Sequence, residues 1–143
     1  MELDPTVWGP HYWFVLHTIA LCYPLTPNDV TKKKYYDFIH NLPLMLPVER
    51  IGNRFSKILD EYPVTPYLDS RQSFIKWIHF IHNKYNLMLD KEEISMTDAM
   101  EKYYNYYKPK KTSLIENLKK KEKIIFIIIV LILLAVIWHL YKI

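Results

Sequence analysis

An all-α fold is predicted for this chain: a four-helix bundle with a short fifth helix, followed by a C-terminal transmembrane helix. Three observations predict it. Glycine is confined to Gly9 and Gly52. Apolar residues recur at three- and four-residue intervals rather than in alternation. Residues 124–138 form an apolar run with no charged side chain.

Pro10 suits the first turn of a first helix, where a missing N–H costs nothing. Trp13, Leu16, His17, Ala20 and Leu21 then share one face, and Pro24 with Pro27 ends the segment. Asn28 or Asp29 can cap a second helix reaching about Leu42, with Val30, Tyr35, Phe38, Ile39 and Leu42 inward. Pro43 stops it. After Pro47, the positions Val48, Ile51, Phe55, Ile58 and Leu59 trace the apolar stripe of a third helix. Tyr62-Pro63 and Thr65-Pro66 mark a loop. Asp69 or Ser70 caps a fourth helix over about 71–89, with Phe74, Trp77, Ile78, Ile81 and Tyr85 inward. Ser95 and Asp98 have the spacing of a capping box, so a last short helix starts there and runs through Met100 into Tyr103, Tyr104, Tyr106 and Tyr107.

The apolar run extends through His139 and Leu140 to Tyr141, and at ~1.5 Å per residue it reaches roughly 27 Å, close to the hydrocarbon thickness of a bilayer. Lys119, Lys120, Lys121 and Lys123 precede it, and Trp138, Tyr141 and Lys142 close it, as interfacial residues do at a membrane. The net charge of +4 is unevenly distributed. Residues 1–107 carry eleven Lys and Arg against thirteen Asp and Glu, whereas residues 108–143 carry eight Lys against two Glu. The basicity therefore belongs to the tail, where Lys108, Lys110 and Lys111 join the other lysines beside anionic headgroups, and a nucleic-acid partner is not indicated. The expected organisation is a folded domain over 1–107, a lysine-rich juxtamembrane linker over 108–123 and a transmembrane helix over 124–141. The positive-inside rule places the folded domain in the cytoplasm, held by a single-pass C-terminal anchor.

Cys22 is the single cysteine, which excludes an intrachain disulfide. Its apolar surroundings, Ile19 to Tyr23, lead to the expectation of a buried small hydrophobe. Trp13 and His17 are one helical turn apart, and His79, Asn83 and Asn86 share a stripe of the fourth helix with His82 beside it. This concentration of imidazole and carboxamide next to an apolar face suits a planar, hydrogen-bonding ligand in a bundle. His79, His82 and His17 are also metal-ligand types, but no Asp, Glu or Cys joins them at ligand spacing, and no metal site is expected.

Trp8-Gly9-Pro10-His11-Tyr12-Trp13 with Leu16-His17, then Pro47-Val48-Glu49-Arg50-Ile51, then His82-Asn83-Lys84-Tyr85-Asn86 with Leu89 and Lys91, resembles the Erv/ALR family of FAD-linked sulfhydryl oxidases. That family reads W-G-x-x-x-W-x-x-L-H, P-C-x-x-C and H-N-x-V-N-x-x-L-x-K. The likeness covers about 8–107. It implies FAD as cofactor, with Trp13, His17, His82, Asn83, Asn86 and Lys91 at its binding positions and Lys102 and Tyr103 at the nucleotide near the domain's end. Members of the family often pair through their first two helices, so a homodimer and a thiol-bearing protein partner are also implied. Small oxidases of this family occur in large cytoplasmic DNA viruses, and the Lys-, Ile-, Asn- and Tyr-rich composition resembles coding from an AT-rich genome.

Val48 and Ile51 stand where the family has its redox cysteines. The family reaction takes a dithiol and O2 to a disulfide and H2O2 through thiol–disulfide exchange, which needs one sulfur to attack and another to leave. Hydrocarbon can do neither, so the chain as written is expected to lack turnover and to have no catalytic residues. The competing expectation is a tail-anchored helical adaptor that has lost flavin as well.

Overall fold

The computed structural model describes residues 3–108 and 113–142, with side chains described from 117 onward in the second of these stretches. Six α-helices make up the described chain, with no strand among the described residues: α1 (Pro5–Leu21), α2 (Asp29–Asn41), α3 (Glu49–Glu61), α4 (Arg71–Met88), α5 (Met96–Asn105) and α6 (Ser113–Lys142). Short 3-10 turns at Leu42–Met45 and Thr65–Tyr67 lead into α3 and α4. The chain divides into two compact units, one ending at Tyr106 and the other starting at Tyr107.

In the first unit, α1 packs along α4, and α3 packs against both α4 and the turn at Leu42–Met45. The helix starts follow capping chemistry. Asp4 accepts from the Thr6 N–H at 2.8 Å, Asn28 from Thr31 at 2.8 Å, Ser70 from Ser73 at 3.2 Å and Ser95 from Asp98 at 3.1 Å. Asp4 with Pro5 starts α1 earlier than expected, so Pro10 lies inside the helix instead of in its first turn. There its missing N–H leaves the Thr6 carbonyl without an i+4 donor. Helix α3 starts differently, since its cap residue Val48 makes no side-chain cap bond.

The expected stripes of α3 and α4 are buried throughout: Val48, Ile51, Phe55, Ile58 and Leu59 meet Phe74, Trp77, Ile78, Ile81 and Tyr85 in one core, joined by Leu16, Ala20, Tyr23 and Ile39. Tyr23 sends its hydroxyl to the Leu68 carbonyl at 2.7 Å, Arg71 donates to the Tyr23 carbonyl, and the Trp77 indole donates to the Tyr62 carbonyl at 3.2 Å. These bonds tie the loops after α1 and before α4 into the core. Gly52 is buried against the Pro43 carbonyl, which any added Cβ would strike. The close approach of α3 to that turn therefore requires glycine.

Two packing expectations fail for one geometric reason. Val30 is 64 % exposed, being nine residues, half a turn in phase, from the buried Ile39. Cys22 is exposed because it lies two residues past the buried Ala20, about 200° around the helix, at the position that ends α1. Helix α5 stops at Asn105, short of Tyr106 and Tyr107.

In the second unit, the segment expected as a linker is helical from Ser113, so Lys119, Lys120, Lys121 and Lys123 belong to α6. Lys110 and Lys111 lie outside the described residues. Within Asn117–Lys142, 26 residues long, an 18-residue stretch reaches a mean hydropathy of 3.0 and is unburied, so the helix is long and apolar enough to cross a membrane.

Candidate functional site

A cleft of about 530 Å3 opens in the first unit between α1, α4, α5 and the turn before α3. That volume is in the range of small-molecule and cofactor sites. Its lining includes Trp13, His17, His82, Asn86, Lys91, Lys102 and Tyr103, seven of the eight residues expected to bind cofactor. Asn83 is absent from the lining. Its carboxamide donates to the Ile94 carbonyl at 2.9 Å and accepts from the Ile94 N–H at 3.0 Å, so it latches the segment before α5 onto α4. The same amide lies 3.3 Å from His79 Nε2.

Helices α1 and α4 bring the aromatic and imidazole groups together. The Trp13 indole stacks on the His82 ring with centroids 4.0 Å apart and planes 9° from parallel. His82 Nδ1 in turn lies 3.3 Å from His17 Nε2, close enough for one neutral imidazole to donate to the other. Burial pushes the His17 imidazole down to about 4, with His79 adding to the effect. It pushes His82 down to about 3, with repulsion from His17 and His79, were they protonated, and from the Lys102 and Lys91 ammoniums adding to the effect. Both rings are neutral at physiological pH, and each presents one donor and one acceptor. His17 Nδ1 is buried with no partner among the described residues, which leaves a polar atom unsatisfied at the cleft.

The opposite wall is built by α5. Phe14 and Tyr103 stack at 5.1 Å, and the Tyr103 hydroxyl lies 2.9 Å from Thr18 Oγ1, which itself donates to the Phe14 carbonyl at 2.8 Å. This pins α5 to α1. At the start of the connection to α5, the Asn86 carbonyl accepts from the Leu89 and Lys91 N–H groups, each at 2.9 Å, and Asp90 adopts a left-handed φ of 55°. The sharp turn keeps Lys91 at the rim. Lys102 is the second rim cation, and Glu92 also lines the cleft.

Apolar walls, two neutral imidazoles, an unsatisfied ring nitrogen, the buried Asn86 and two rim cations fit a group with an aromatic ring system and a pyrophosphate. Several lining residues escape sequence reasoning. Phe14 falls one position off the inward stripe of α1, and Tyr85 belongs to a stripe that reads as plain core; the helix period alone does not distinguish a core wall from a cleft wall. Leu42, Leu46 and Phe55 line the cleft as well, whereas Val48 and Ile51 do not.

Residues 10–105 match the model of the Erv1 / Alr family. A probable FAD-linked sulfhydryl oxidase of Acanthamoeba polyphaga mimivirus is 32 % identical over 112 residues, covering 78 % of this chain and 78 % of that protein. An FAD-linked sulfhydryl oxidase of African swine fever virus is 30 % identical over 109 residues, covering 76 % of this chain and 87 % of the relative. Among solved structures, the yeast Erv1 core superposes with a TM-score of 0.62 at 25 % identity, covering 76 % of this chain and 86 % of that one. The FAD binding domain of Erv1 from Saccharomyces cerevisiae gives 0.64 at 25 % identity, covering 72 % and 96 %.

Proposed function

Because this chain belongs to the Erv1/Alr family, we propose that its cleft holds FAD, that it carries no dithiol oxidase turnover as written, and that α6 fixes it in a membrane. The observation that supports the flavin reading is the convergence of Trp13, His17, His82, Asn86, Lys91, Lys102 and Tyr103 on one cleft, with the buried His17 and half-buried His82 imidazoles neutral. Trp13 and Phe14 offer flat apolar surface, His17 Nδ1 and the Asn86 carboxamide offer hydrogen bonds, and Lys91 and Lys102 offer charge for a pyrophosphate. FAD would supply two-electron redox chemistry that no side chain here can. The chain's own part is to exclude water and hold the ligand.

The missing activity follows from Val48 and Ile51, both 6 % exposed and both hydrocarbon. Position 48 caps a 13-residue helix, where the dipole favours a thiolate and offers a valine nothing. Purified full-length protein in detergent is expected to be yellow and to lose its flavin absorbance with His82→Ala and with Asn86→Ala. Oxygen consumption with a small dithiol is expected to be absent, and to return when Val48→Cys and Ile51→Cys are combined. Colourless protein that takes up no added FAD would instead establish the adaptor reading.

A further inference from the structure

We infer that Tyr85 decides what reaches positions 48 and 51 from the cleft, so that the departure from thiol chemistry in this chain involves three residues and not two. Trp13, Phe55 and Tyr85 close on one another as a trio, with ring centroids 6.2 Å apart for Trp13–Phe55, 5.8 Å for Trp13–Tyr85 and 6.0 Å for Phe55–Tyr85. All three line the cleft, and Val48 and Ile51 do not. Phe55 is one helical turn beyond Ile51 on the same buried stripe of α3. The Tyr85 ring reaches from α4 to α3, where it meets Phe55, and the Arg54 and Arg50 guanidiniums of α3 partly offset the upward push of burial on its phenol.

The trio is therefore part of the cleft wall, and positions 48 and 51, buried on the same stripe of α3 as Phe55, are shut off from the cleft. Of the three rings, Tyr85 is the one that spans from α4 to α3. It also stands where the H-N-x-V-N pattern has a valine, a side chain too short to make that span. Removing the ring opens the cleft onto the inner face of α3.

The test uses full-length protein in detergent carrying Cys22→Ser, because Cys22 is exposed and would react, together with Ile51→Cys as the reporter. The rate of modification by a small aromatic disulfide is measured without flavin, with tyrosine, phenylalanine or valine at position 85. Tyrosine and phenylalanine are expected to protect the thiol equally, and Tyr85→Val is expected to raise the rate roughly tenfold or more, since reactivity follows access. Tyr85→Leu serves in its place if the valine variant melts early. Equal rates with tyrosine and with valine or leucine, or loss of protection with phenylalanine, would overturn the assignment. A second arm rests on the flavin reading. Added FAD should slow labelling in the Tyr85→Val background and leave the tyrosine background unchanged. A rate difference without flavin that FAD does not modulate, in protein that binds no FAD, sinks the flavin reading while the shielding by Tyr85 stands.

Discussion

His17 and His82 enter the fold uncharged, and that ties stability to pH. Their pKa values, about 4 and about 3 in the folded protein, lie below the ~6.5 of an unfolded histidine. As pH falls below that value the unfolded chain binds more protons than the folded one, so acid favours unfolding. Stability should be constant with respect to these groups above about pH 7, decline from about 6.5, and stop declining once the folded rings themselves titrate. Thermal unfolding followed by circular dichroism from about pH 7.5 to about pH 4 tests this. His82→Gln, which keeps hydrogen-bonding capacity without the titration, should flatten the profile. Val48 illustrates a different residue-scale point. Valine is among the poorest caps, and α3 is the one α-helix of the first unit that starts without a side-chain cap bond. The break falls where the family places sulfur.

At the scale of elements, two contacts set how closely the helices approach. Gly52 lets α3 lie on the Pro43 carbonyl. Gly52→Ala should cost about 1–3 kcal/mol, as overpacking of a filled site does, and appear as a lower denaturant midpoint at unchanged slope. Asn83 holds the approach to α5 through its paired bonds with Ile94. Asn83→Ala removes both and leaves a backbone amide short of a partner, at about 1–3 kcal/mol. Its mark should be regional, with faster hydrogen exchange over residues 94–105 and little change in α1 and α3. If exchange is unchanged while flavin affinity falls, Asn83 acts on the ligand directly. In its role as a latch, Asn83 is a residue whose position in a motif is legible and whose work is not.

For the whole molecule, α6 and the lysines at its start predict a membrane protein with its folded unit on the cytoplasmic side. Alkaline carbonate should leave the full-length chain in the membrane fraction, and protease added from the cytoplasmic face should digest residues 1–107. Release by carbonate, or protection of that unit, contradicts the reading. The sequence by itself determined the helical class, the inward stripes of α3 and α4, the cap Ser95, the caps of α2 and α4 to within one residue, and eight site candidates of which seven meet in the cleft. These follow from a 3.6-residue period, from side chains whose chemistry is local, and from motifs that carry a family likeness. Only the tertiary structure decided that Asn83 is spent on Ile94 and that Trp13, Phe55 and Tyr85 close on one another in the wall of the cleft. Each of those depends on which neighbouring helix stands opposite a residue. A one-dimensional period cannot specify that, because the same buried stripe can face a core or a cleft depending on what packs across from it.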